Sequence, residues 1–142
     1  MLRHLLRSVQ PVDDFQDLAA WRAAVPALAQ ILRQSHGGPI VMPMTVWRRD
    51  YFVELSASLR AADNDDLRCF RLTASEQVLR ARILGRDPHY GPHESGLEHL
   101  TSGLAMMRDP LFGEEVVTCN RSPAEVADII VTALAAPVKH AP

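Results

Sequence analysis

The chain has 142 residues, of which 47% are hydrophobic and 23% charged, and its formal net charge is −2. That is enough chain to bury a core in one domain, and too little charge excess to draw it to nucleic acid or an anionic membrane. No run approaches the roughly 18 apolar residues of a membrane span, and the opening MLRHLLRSVQP is too short and interrupted for a signal peptide, so the expectation is a cytoplasmic protein.

Residues 14–34 read as a helix, because Leu18, Trp21, Val25, Leu28 and Leu32 recur on one stripe. Pro26 is expected to kink or divide it, and His36, Gly37 and Gly38 to end it. Residues 39–44, PIVMPM, show no polar alternation and read as a short strand buried on both faces. Asp50 reads as the N-cap of a helix with Tyr51, Phe52, Leu55 and Leu59 inward, followed by a polar turn at 61–66. A second strand is expected at 67–74, then a helix from 76 to about 84, capped by Ser75 and closed by Gly85. Residues 86–96, rich in Pro, Gly and His, read as a loop. A helix follows with Leu97, Leu100, Leu104 and Met107 on one face, then a third strand at 114–120. Ser122 and Glu125 form a capping box with Pro123 at the first helical position, and Val126, Ile129, Ile130, Ala133 and Leu134 make that helix's buried side. The tail after about residue 136 reads as loose. Strands alternating with helices predict an α/β domain with a parallel sheet between helical layers. Neither a repeat nor a linker appears, so the reading is one domain.

One series of residues carries a resemblance. It runs Asp14, Phe15, Gln16; Trp21, Arg22; VMPMT at 41–45; Tyr51, Phe52; Leu59, Arg60; Leu72; Ala74, Ser75; and Leu79, Arg82, Arg86. In this order the series resembles the tunicamycin-resistance proteins, small ATP-binding members of the P-loop kinase-like group, from about residue 1 to 134. The resemblance implies a three-layer α/β fold with a five-stranded parallel sheet, ATP and Mg2+ as cofactors, and a small-molecule acceptor as partner. It implies a lid at 86–96, with Arg82 and Arg86 on one helix face holding and neutralising phosphate. It also implies an acceptor site at Asp14, Gln16, Arg22 and Thr45, and an adenine-side turn at Asn120 and Arg121. Each position has a plainer reading: solvated helix arginines for Arg82 and Arg86, a turn residue for Thr45 and for Asn120, and core for Trp21.

The phosphate loop of that group, Gly-x-x-x-x-Gly-Lys-Ser/Thr, cradles phosphates on backbone N–H groups and places a lysine on the terminal ones. None of the seven glycines here has a Lys-Ser/Thr partner, and 14 of the 15 basic residues are Arg, the exception being Lys139 in the tail. By the resemblance, the chain starts after the loop's strand, its helix and a second strand, roughly 35 to 45 residues. The strands at 39–44 and 67–74 would flank the missing one, and must pair directly or leave bare edges open to self-association. Two explanations stand: a natural start upstream of Met1, or a truncated gene whose product is a non-catalytic binding or interaction module. Drug sequestration without chemistry is a third role compatible with resistance.

His89, His93 and His99 do not make a zinc site on this reading, since Gly and Pro break a helical pair and no cysteine is near. His99 stands where the resemblance implies a second lid arginine, and imidazole is a weaker phosphate partner. Cys69 and Cys119, each in an apolar run, read as free thiols of a reducing compartment, with a disulfide as the alternative.

Overall fold

The computed structural model describes residues 14–46, 48–62, 67–87, 89 and 93–135. The chain divides into two compact units, Met1–Leu67 and Arg68–Pro142. Six α-helices and one two-stranded parallel sheet are present among the described residues, a mixed α/β architecture. None of these helices is long and apolar enough to cross a membrane.

In the first unit a 3₁₀ turn, Phe15–Asp17, precedes α1, Ala19–His36, and α2, Arg49–Ala62, packs against α1. The turn is fixed at its start by Asp14, whose carboxylate accepts from the Gln16 N–H at 2.9 Å. Pro26 lies inside α1 and does not divide it. Proline removes one helical hydrogen bond, and the burial of its ring offsets that loss. Gly37 closes the helix in the left-handed region at φ 67°, where a side chain would be strained. Leu18 and Leu55 are buried, and Phe15 meets Trp21 edge to face with centroids 4.8 Å apart. The far half of the expected apolar stripe is not covered: Leu28 is 56% exposed, against 7% for Leu18.

The strand expected at 39–44 does not form. Residues 39–46 join no ladder, and Val41 is 85% exposed rather than buried. An apolar run becomes a strand only where a second strand takes up its backbone N–H and C=O groups, and among the described residues no strand pairs with this one. Asp50 also departs from expectation. It lies within the first turn of α2 instead of capping it, and its carboxylate is bound by Arg48 at 2.6 and 3.0 Å. The expected turn at 61–66 falls partly outside the described residues, and α2 runs on through Ala62.

In the second unit β1, Phe70–Thr73, pairs in parallel with β2, Glu114–Val117, with Leu72 opposite Val116. Both strands are shorter than expected. Between them lie α3, Glu76–Leu84, α4, His93–Glu98, and α5, Leu100–Arg108, and α6, Pro123–Ala135, follows β2. The helix at 93–98 begins four residues inside the stretch read from sequence as loop; the rest of 86–96 is described only at 86, 87 and 89.

Gly113 makes the strand pairing possible. Its φ is 113°, and a Cβ there would stand 2.2 Å from the Cys69 carbonyl oxygen. The bare backbone instead lets the Glu114 N–H donate to that oxygen at 2.9 Å, starting the ladder. Arginines fasten the surrounding elements. Arg71 donates to the carbonyls of Gly113 and Met107, and Arg68 donates to Glu114 and to the Ala133 carbonyl at the end of α6. Ser75 caps α3, and Ser122 and Glu125 cap α6 reciprocally, as their spacing predicts. Glu125 accepts from the Ser122 N–H at 2.7 Å and its hydroxyl at 2.8 Å, and these bonds hold its carboxyl below the usual carboxylate range. Cys69 and Cys119 are free and half-buried.

Candidate functional site

The acceptor-side residues converge in the first unit. Gln16 lies in the 3₁₀ turn and is 2% exposed. Its side-chain Nε2 donates to the Thr45 carbonyl at 2.9 Å, and its own carbonyl accepts from Arg22 NH1 at 2.6 Å. Asp14 holds the same turn through the Gln16 N–H. Asp14, Gln16, Arg22 and Thr45 therefore form one hydrogen-bonded network. Their parts in it differ. Gln16 is buried and holds the backbone, whereas Thr45 has its carbonyl anchored and its side chain exposed.

Further residues join the network that the apolar stripe did not disclose. Arg22 Nε donates to Glu54 at 2.7 Å, joining α1 to α2. Its guanidinium carbon also lies 4.3 Å from the centroid of the Tyr51 ring, and that of Arg48 lies at the same distance. Such cation–π contacts are worth about 0.5–1 kcal/mol at exposed sites. The Tyr51 hydroxyl donates to Asp17 at 2.6 Å, and this bond pushes the phenol pKa up. From sequence Tyr51 reads as an inward apolar residue. The overlooked signal is Glu54, three positions on and so on the same helix face.

The proposed phosphate arginines do not share a face. Helix α3 ends at Leu84, and Arg86 lies beyond the Gly85 cap. The Arg86 carbonyl is bound by His93 at 2.8 Å, and since a carbonyl only accepts, His93 carries its proton on Nε2. Arg82 turns onto the end of β2. It donates through NH1 to Thr118 Oγ1 at 2.9 Å and through NH2 to the Thr118 carbonyl at 2.8 Å. Thr118 is buried, and its Oγ1 donates on to the Thr73 carbonyl at 3.0 Å. Asn120 sits in the following turn with φ 56°, and Arg121 donates back to the Val117 carbonyl.

These residues do not by themselves make a triphosphate site for ATP and Mg2+. Each terminal nitrogen of Arg82 gives one N–H to Thr118, Arg121 is folded onto its own turn, and no lysine occurs before Lys139. Among the described residues no group of three or more His, Cys, Asp or Glu side chains is placed to hold a metal ion. His99 stands between α4 and α5 and gives no side-chain cap to α5. No family model, curated protein or solved structure matches the chain significantly.

Proposed function

We propose that the chain is the acceptor-side part of an ATP-dependent, phosphotransferase-like protein resembling the tunicamycin-resistance family, without turnover unless a phosphate loop is supplied. The observation that carries this reading is the tether from Gln16 to the Thr45 carbonyl. It brings the residues assigned by resemblance to the acceptor into one network, across 29 positions of sequence. A buried amide fixing the backbone while a hydroxyl faces outward is how a rigid element presents a binding group.

The strands add support. In the fold implied by the resemblance, the last two strands are neighbours, and 39–44 adjoins the loop strand. The parallel pairing of 70–73 with 114–117, and the lack of a ladder at 39–46, agree with a sheet whose central strand is supplied from elsewhere. The three-layer architecture belongs to this proposal. A second reading, a binding module without catalysis, is favoured by the engagement of Arg82 with Thr118, which turns two of its five donors to the end of β2.

The test is calorimetric titration with Mg-ATP. One sample is the chain itself; the other carries an N-terminal strand, Gly-x-x-x-x-Gly-Lys-Ser/Thr loop, helix and strand from a tunicamycin-resistance protein. Saturable binding only in the extended protein is expected. A folded extended protein that binds no ATP overturns the reading. Tight binding by the unextended chain overturns the claim that the loop is required.

A further inference from the structure

Strand β1 pairs with β2 on one side, and among the described residues no strand lies along its other side. The carbonyls of Cys69 and Thr73 accept from the N–H groups of Glu114 and Thr118 at 2.9 and 2.8 Å, so the odd positions of β1 face β2. Direction alternates along a strand, and Phe70 and Leu72 therefore turn their N–H and C=O groups to the open edge. Leu72 is 49% exposed there. The outer edge of β2 is closed at its end, where Arg121 donates to the Val117 carbonyl. An open strand edge is a template for another strand.

Residues 39–44 have the makings of a strand with one partner. No Asp, Glu, Lys or Arg occurs between Arg33 and Arg48. Proline fixes its own φ and restricts the residue before it to extended backbone, which holds Pro39, Met42 and Pro43 in that region. Both prolines stand at odd positions, and a strand can lack N–H groups only on the side away from its partner. The Thr45 carbonyl, on that same side, is taken by Gln16. Ile40, Met42 and Met44 thus present their N–H and C=O groups on the other side, and among the described residues no backbone group meets them. Antiparallel pairing with β1 sets Met42 opposite Leu72 and Met44 opposite Phe70, all four side chains on one face. Parallel pairing sets Met42 against Arg71 or Thr73 instead.

Within one chain the segment joins no ladder and Val41 stays 85% exposed. We infer that residues 39–44 of a second copy add antiparallel to the open edge of β1, reciprocally, closing a two-fold dimer. Reciprocal exchange satisfies the bare edge and the unpaired segment of both copies, whereas one-way addition leaves one of each at the ends of an open chain. Each copy contributes ten residues, 39–44 and 70–73, against roughly 20–30 a side in a standard interface, so the dimer is weak and reversible. The inference stands apart from the phosphotransferase reading, because it requires neither a phosphate loop nor an acceptor.

The experiment is sedimentation equilibrium of the full chain from about 1 μM to about 1 mM, the range over which a weak interface passes from free to bound. Monomer is expected at the low end and dimer at the high end. Met42→Pro removes an N–H aimed at β1 and is expected to keep the chain monomeric throughout. Val41→Pro removes an N–H on the far side and is expected to leave dimerisation unchanged. Leu72→Lys, at an exposed position, is expected to abolish the dimer, with the fold of each variant checked by circular dichroism. A monomer at every concentration overturns the inference, as does growth beyond a dimer. Equal loss in Val41→Pro and Met42→Pro would assign the association to apolar contact rather than a ladder and overturn it. A dimer that survives Met42→Pro, as for β1 pairing with itself, or one that survives Leu72→Lys, overturns it too.

Discussion

Gln16 commits its side-chain amide to a backbone carbonyl in a segment that has no ladder of its own. Replacing it with leucine keeps the bulk but leaves the Thr45 carbonyl without its donor. Gln16→Leu is therefore predicted to lower stability by about 0.5–1.5 kcal/mol in denaturant unfolding, the net value of one hydrogen bond, and no measurable loss would show that the corner holds itself. Tyr51 gives a prediction in pH. Its bond to Asp17 raises the folded phenol pKa above the unfolded value. The contribution to stability is then complete below about pH 10, the unfolded value, and is lost as pH rises through the folded one. In an absorbance titration the phenolate removed by Tyr51→Phe should appear at higher pH than that of a free tyrosine; one appearing at or below it contradicts the assignment. The sequence disclosed Gln16 and Arg22 only through their place in a series. Nothing local says that Gln16 faces inward, because burial of a glutamine depends on the carbonyl it meets.

Among the elements, those with local signals were the legible ones. The Ser122 and Glu125 box needs only four consecutive residues, and it caps α6 as its spacing predicts. The folded pKa of Glu125 is depressed, so its contribution is present above the unfolded value of about 4.3 and fades as pH falls through the folded one. Glu125→Gln should remove part of the acid-induced loss of α6 order, read by amide exchange at 123–128. An unchanged acid profile would show that the box does not govern that end. What depends on a distant partner was not legible. Residues 39–44 have a strand's composition and no ladder, whereas the end of α3 at Leu84 with Gly85 as its cap was read locally, and only the resemblance set Arg86 on its face. Gly113 is the converse case, a glycine whose need appears only once Cys69 stands beside it. Gly113→Ala should cost about 3 kcal/mol or more, since a strained φ and a backbone clash combine. A thermal midpoint close to wild type would mean that the ladder starts elsewhere.

At the scale of the whole molecule, each unit leaves apolar side chains uncovered. In the first, Val41, Ile31 and Leu28 are more than half exposed, and in the second Val131 and Leu84 are. The α/β alternation was legible because periodicity marks helices one at a time. The sheet's extent was not, because strand order is set by pairing across the chain. The proposed function turns on a phosphate loop, which no glycine of this chain supplies. The most direct measurement is calorimetric titration with Mg-ATP of the chain and of the chain extended by a phosphate-loop strand, helix and strand. The account predicts saturable binding in the extended protein alone. A folded extended protein that binds no ATP would contradict it.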